Sequence, residues 1–367
     1  MKLVYITNTI SGAGGVQRVL AVKTHYLVSH KGYDIAIVVT NAKAQEPIYY
    51  DFHPDIEIIT IKPNRSPLFY YGSYKKLLNS ALKKLKPDVV IMCDNGLKSF
   101  LLPYITRKKY PLVYEMHVSK HILVKPTGVI KRFFRKYFIY KLMSYCVAKY
   151  NKFVVLTTSA MQEWQLNNIE VIPNSLWFNP NAFSTASNKI AIAVGRHVYE
   201  KGYDRMLEAW KLISDKHPDW ILKIYGETNR ECDLKLLSER LNITETVKFC
   251  SPKKDIETAY SEASINLLTS RYEGFGLVLI ESAACGVPSV AFDCPVGPRG
   301  IINNGKDGFL IEDNDIKAFA IAVEKLIEDK ELRIEMGKNA KLKAKTFALE
   351  PIMERWDELF KSLVNSK

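Results

Sequence analysis

Short runs of Val, Ile and Leu alternate with helical stretches twice over, on either side of a Pro-, Asn- and Ser-rich segment at 173–188. This alternation restricts the fold more than any other feature. Strand-like runs lie at Leu3–Thr7, Asp34–Thr40, Ile56–Ile61, Asp88–Cys93, Leu112–His117, Phe153–Leu156 and Ile169–Ile172. Several are continuously apolar, as expected of strands covered on both faces. Helical stretches fall at Val16–Ser29, Ser73–Leu85, Lys131–Lys149 and Ser159–Leu166. A second series of strands follows at Ile190–Gly195, Trp220–Tyr225, Thr246–Cys250, Ile265–Thr269, Pro288–Phe292 and Gly308–Ile311. The chain ends in helices at Ile316–Asp329, Lys330–Lys345 and Pro351–Leu363. Strand–helix alternation implies parallel, doubly wound sheets, hence an α/β fold. At 367 residues the chain exceeds one comfortable core, so two domains are expected, with ligand in the cleft at the carboxyl ends of their strands.

Hydrophobic residues make up 47% and charged residues 25%, the composition of a soluble globular protein. No apolar run is long enough to span a bilayer, and the first strand lacks the features of a signal peptide, so a cytoplasmic chain is expected. The six cysteines form no C-x-x-C pair and read as reduced core residues. The net charge of +13 is uneven. Between Met116 and Gln162 there are nine Lys or Arg and no carboxylate. Within that block Lys131, Arg132, Arg135 and Lys136 share one helical face, with Phe133, Phe134, Tyr137 and Phe138 elsewhere on the helix. Such a helix suits an anionic membrane surface, or simply covers the sheet. No RNA-binding motif accompanies the charge, so nucleic acid is not an expected partner.

The chemistry concentrates at Arg271–Glu281, where Glu273 and Glu281 flank the sequence Gly274-Phe275-Gly276-Leu277. A strand-like run precedes it and a helical one follows. The two glycines leave first-turn N–H groups uncovered, and such groups at the positive end of a helix dipole attract phosphate. Carboxylates on both sides of a phosphate site suit a nucleotide-sugar, which carries hydroxyls at both ends. Arg196 and Lys201 flank the loop after the strand Ile190–Gly195, and these cations suit phosphate oxygens or are solvated surface charges. Gly12-Ala13-Gly14-Gly15 follows the first strand, but Gln17 holds the third-glycine place of a dinucleotide fingerprint and no acid ends the second strand. NAD is therefore not expected. His117 ends a strand and could face a substrate or serve a structural role. His121, four residues on, finds no third ligand nearby, so no metal is expected. Arg299, in the Gly/Pro-rich loop Cys294–Ile302, could reach a ligand or brace its own loop.

These features together resemble the retaining glycosyltransferases of the GT-B fold that carry the E-x7-E motif, especially enzymes building bacterial lipopolysaccharide, capsule or lipid-linked oligosaccharide. The resemblance covers nearly the whole chain: Gly14-Gly15, His117, Ile172-Pro173-Asn174-Ser175, Val194-Gly195-Arg196 with Lys201-Gly202, Tyr272–Gly276 with Glu281, and Ala284–Pro288. Gly300 stands where the family often has an acid after the arginine. The resemblance implies two Rossmann-like domains facing a central cleft: an acceptor-binding domain over 1–178, a nucleotide-sugar-binding domain over 179–349, and a last helix, 350–367, packing back on the first. It further implies that Arg196 and Lys201 hold the donor diphosphate, that Glu281 binds the ribose and that Glu273 contacts the donor sugar. Backbone near Gly274, Phe275, Gly276 and Leu277 would meet phosphate, Gly14 and Gly15 would close over the donor, and His117 would touch the sugar near the reacting centre. The implied activity is metal-independent transfer of a hexosyl or N-acetylhexosaminyl unit from a UDP-sugar to a cell-surface or lipid-linked glycan. The implied location is the inner face of the cell membrane, with Lys131, Arg132, Arg135 and Lys136 toward membrane or acceptor and no cofactor beyond the co-substrate. Alternatives are a sugar-nucleotide epimerase or a soluble small-glycoside synthase of the same fold, or a non-catalytic basic protein that binds membrane or nucleic acid.

Overall fold

The computed structural model describes residues 1–40, 48–107, 109–120, 129–227 and 233–365, with side chains described for all of these except 129–137. The chain divides into two compact units, Met1–Trp177 with Leu349–Lys367, and Phe178–Ala348.

The first unit runs β1 (Lys2–Thr7), α1 (Gly15–Lys31), β2 (Asp34–Val39), β3 (Glu57–Thr60), α2 (Pro67–Leu85) and β4 (Val89–Met92). It continues with α3 (Leu97–Thr106), β5 (Leu112–Glu115), α4 (Val129–Val147), β6 (Lys152–Val155), α5 (Thr158–Gln162) and β7 (Ile169–Val171). Its seven strands pair in parallel in the order β3-β2-β1-β4-β5-β6-β7. The order reverses beside β1, the switch point at which the carboxyl ends of such strands open to ligand. Right-handed crossovers place α2, α3 and α4 on one face of the sheet and α1 on the other.

In the second unit the elements are β8 (Ile190–Val194), α6 (Tyr203–Ser214), β9 (Ile221–Tyr225), α7 (Leu234–Arg240), β10 (Val247–Cys250) and α8 (Ile256–Glu262). Next come β11 (Ile265–Leu268), α9 (Leu277–Ala284), β12 (Ser289–Phe292), β13 (Gly308–Ile311), α10 (Ile316–Glu328) and α11 (Lys330–Ala344). The sheet is parallel, in the order β10-β9-β8-β11-β12-β13. Both units are thus Rossmann-like α/β layers, as the alternation predicts. A final helix, α12 (Leu349–Asn365), lays Ile352, Met353, Trp356, Leu359, Phe360 and Leu363 into the core of the first unit.

Helix α3 departs from the expectation, because the sequence reading assigns no helix there. Pro103 lies inside it. A proline removes the N–H that would bond the carbonyl four residues back. That carbonyl belongs to Ser99 and is taken instead by the hydroxyl of Tyr150. Asn79 donates to the carbonyl of Ile105 at the helix's other end (3.1 Å). Helix α2 also starts earlier than expected, at Pro67, a favoured first-turn residue, and runs through Gly72. Residues 178–188 belong to the second unit, where the buried Arg333 guanidinium donates twice to the carbonyl of Ala186 (3.1 and 2.8 Å).

Candidate active site

At the carboxyl end of β11 the chain turns through Ser270–Gly276 into α9. Gly276 caps the helix with φ +98, a left-handed conformation open to glycine at little cost. Glu273 is buried at 7% exposure and pairs through one oxygen with Lys201 Nζ (2.6 Å) and the Ser270 hydroxyl (2.6 Å). The backbone of Glu273 bridges to Val296, which seats the loop after β12 beside it. Lys201 closes a short 3-10 turn, Tyr199–Lys201, ending at Gly202 with φ +63. A Cβ on Gly202 would lie 2.1 Å from the Thr269 carbonyl oxygen, so this close approach of the two loops requires glycine.

Two arginines lock that approach. Arg205, buried, donates to the Thr269 carbonyl (2.6 Å) and to Asp313 (2.8 Å). Arg271 forks onto Asp204 and also reaches the Tyr199 carbonyl (2.8 Å), with its guanidinium over the Tyr199 ring. Burial pushes the Asp204 carboxyl up, but its bonds and charge contact with Arg271 outweigh this and hold it below the ordinary carboxylate range. Arg196 is exposed on the same loop. Glu281 sits in the second turn of α9 with no exposed surface, accepting a hydrogen bond from the Tyr260 hydroxyl (3.2 Å). The structure therefore brings Lys201, Glu273 and the start of α9 together, and places Glu281 in the second turn of that helix. Arg299 forms a two-pronged pair with Asp293 (2.9 and 2.7 Å), which braces its own loop. Ser270, Arg205, Arg271 and Tyr260 escape the sequence reading. The only trace of them is their closeness to the motif or to a strand end.

In the first unit Gly14 and Gly15 lie at the start of α1. His117 follows β5 with its side chain only 4% exposed, and its Nε2 lies 3.4 Å from Glu115 Oε1. Glu115 also binds the buried Lys23 ammonium through both oxygens and accepts from the Cys93 thiol (3.3 Å). Burial raises the Glu115 carboxyl, but the adjacent Lys23 and His117 overcome this and hold it below its ordinary range. Burial also lowers the His117 imidazole, partly offset by Glu115. Cys93, Glu115 and His117 are the group whose ligand atoms lie close enough together for a metal ion among the described residues. The Lys23 ammonium already supplies the cation there. Along the same strand ends Asn8 donates to Asp94 (2.5 Å), and Lys98 reaches Thr40 (2.8 Å) and Asn8. Lys131, Arg132, Arg135 and Lys136 belong to α4, but their side chains lie outside the described residues, as does His121.

The family described as Glycosyl transferases group 1 matches residues 178–343. An uncharacterized glycosyltransferase of Haemophilus influenzae is 30% identical, over 97% of this chain and 98% of its own. The chain belongs to the glycosyltransferases. The amylovoran biosynthesis glycosyltransferase AmsD of Erwinia amylovora is 27% identical over 98% of this chain and 99% of its own. Among solved structures, a TarM variant of S. aureus in complex with fondaparinux, alpha-GlcNAc-glycerol and UDP superposes with a TM-score of 0.79 at 17% identity, covering 98% and 100% of the two chains. This glycosyltransferase thus has the GT-B fold, and the sequence expectation of fold and reaction class holds.

Proposed function

We propose that the enzyme transfers a hexosyl or N-acetylhexosaminyl unit from UDP to a cell-surface or lipid-linked glycan, with retention at the anomeric carbon and without a metal. The observation that carries this reading is the Lys201–Glu273 pair beside the uncapped start of α9. Departure of the leaving group builds negative charge on the diphosphate. A fixed ammonium, the exposed Arg196 and the backbone N–H groups of 274–277 leading into α9 stabilise that charge where it develops, in the role a metal plays in other sites. Glu273, anchored by Ser270, then orients the donor sugar. Glu281, held by Tyr260, is assigned to the ribose hydroxyls. Gly14 and Gly15 are assigned to the donor and His117 to the sugar.

In the proposed step the bond from the anomeric carbon to the β-phosphate oxygen breaks. The acceptor oxygen bonds to the same face of that carbon, and its proton passes to the departing phosphate oxygen. UDP is supported by the TarM complex, and a surface-glycan acceptor by the relationship to AmsD. The test is UDP release across a panel of nucleotide-sugars in the presence of chelator. Lys201→Ala is expected to lower turnover by about 10²- to 10³-fold with the fold intact. Unchanged turnover in the folded variant, or a strict need for a divalent ion, would remove the cation-clamp assignment.

A further inference from the structure

The net charge of this chain is carried by one segment. Residues 62–162 hold 20 Lys and Arg against three carboxylates, Asp88, Asp94 and Glu115, a net of +17 where the whole chain carries +13. Asp94 and Glu115 are buried, and Asp88 is half-buried and accepts from the backbone N–H of Lys2. The helices of this segment, α2, α3 and α4, contain no acidic residue and pack side by side on one face of the first sheet.

The same helices expose apolar side chains. Leu68 and Phe69 at the start of α2 are 82% and 60% exposed, and Leu97 at the start of α3 is 72% exposed. On α4, Phe138, Leu142 and Tyr145 are all exposed. The spacing is helical. Phe138, Lys141, Leu142 and Tyr145 recur at three- and four-residue steps along α4, so they form one stripe. Phe69, Lys76 and Lys83 recur every seven residues along α2, where both lysines are exposed. Single exposed apolar residues are ordinary on a protein surface. Apolar side chains exposed on three adjacent helices, with lysines interleaved on α2 and α4 and no acid among them, are the pattern of a surface that lies on anionic lipid.

We propose that α2, α3 and α4 form the face by which this enzyme docks on an anionic bilayer, with Leu68, Phe69, Leu97, Phe138, Leu142 and Tyr145 entering the interface. The flanking lysines then meet lipid phosphates. Charge complementarity selects the bilayer over a second copy of the chain, because two such faces would repel. Nucleic acid is disfavoured because no RNA-binding motif accompanies the charge. This rests on the reading of the acceptor as a lipid-linked glycan, and gives that reading an orientation.

The full chain is floated with vesicles of phosphatidylcholine alone and of phosphatidylcholine doped with phosphatidylglycerol, at low and high salt. Flotation is expected with the anionic vesicles only, and is expected to weaken with salt. Each cation removed lowers partitioning about fivefold, so the triple variant Lys76→Glu, Lys83→Glu, Lys141→Glu falls by at least about a hundredfold. The double variants Leu68→Glu, Phe69→Glu and Phe138→Glu, Leu142→Glu lose flotation while stabilisation against heat by UDP is retained. Three results would overturn the proposal: no flotation of the unaltered chain, equal flotation with neutral vesicles, or variants that float normally. Light scattering that finds a dimer broken by Leu142→Glu would give the face to a second copy, and tight RNA binding lost in the triple variant would give it to nucleic acid. Failure of UDP to stabilise the unaltered chain would instead sink the donor reading and leave the flotation result standing.

Discussion

Glu281 has no exposed surface and is held by the Tyr260 hydroxyl, so its contact with a donor depends on how Tyr260 presents it. Tyr260→Phe keeps the ring and removes that bond. The fold is expected to survive, with donor affinity falling about tenfold, in line with the loss of one charge-assisted hydrogen bond. Calorimetric titration with UDP checks this, and unaltered affinity would separate Glu281 from the ribose. A second effect concerns His117. Its imidazole is held below the ordinary 6.5, so below that pH the unfolded chain takes a proton that the folded chain refuses. Stability of the first unit should therefore decline as pH falls below 6.5 until the folded imidazole is itself protonated. Glu115, also held low, extends the loss to more acid pH as the folded state resists its protonation. Denaturant titrations across pH should show this slope, and His117→Gln should flatten its upper part. At this scale the sequence makes Lys201, Glu273 and the glycines visible because each sits in a loop between a strand and the helix that follows it. It conceals the Lys23–Glu115 pair because the partners are 92 positions apart and meet only through sheet order.

Helix α3 shows what period alone misses. Its core positions are apolar enough, but Pro103 reads as a stop, and the carbonyl it frees is satisfied by Tyr150 from beyond α4. Only tertiary placement supplies that donor. Tyr150→Phe should leave the Ser99 carbonyl buried and unpaired. Such a loss costs about 1–3 kcal/mol, and α3 should loosen before the rest of the sheet. Thermal unfolding and amide exchange along α3 check it; an unchanged midpoint would mean that the helix does not depend on this bond. The strands were legible for the opposite reason. A strand buried on both faces needs continuous apolar residues, and that requirement is written locally. Helix α2 begins before the expected Ser73 because Pro67 takes its first turn and the helix runs on through Gly72.

The first unit is closed by residues from the far end of the chain. Helix α12 packs on α1 and β4, and its contacts with α1 and with Tyr33 just after it are specific. Lys31 pairs with Glu354 (2.5 Å), Tyr33 donates to Asp357, and Lys23 places its ammonium 3.9 Å from the centre of the Trp356 ring. Trp356 therefore covers the same buried ammonium that Glu115 neutralises. Trp356→Ala removes a core side chain and uncovers a buried ion pair at once. Truncation of a buried aromatic costs about 3–5 kcal/mol, a large part of the ~5–15 kcal/mol that holds a domain folded. The loss should fall on the first unit alone, because Trp356 belongs to that unit's core cluster and the second unit has a separate one. Amide exchange read segment by segment should find protection lowered in β1, β2, β4 and β5 and kept in β8, β9, β11 and β12. Equal loss in both sheets would mean that the two cores unfold as one, and unchanged protection in the first would mean that α12 is an attachment and not part of its core.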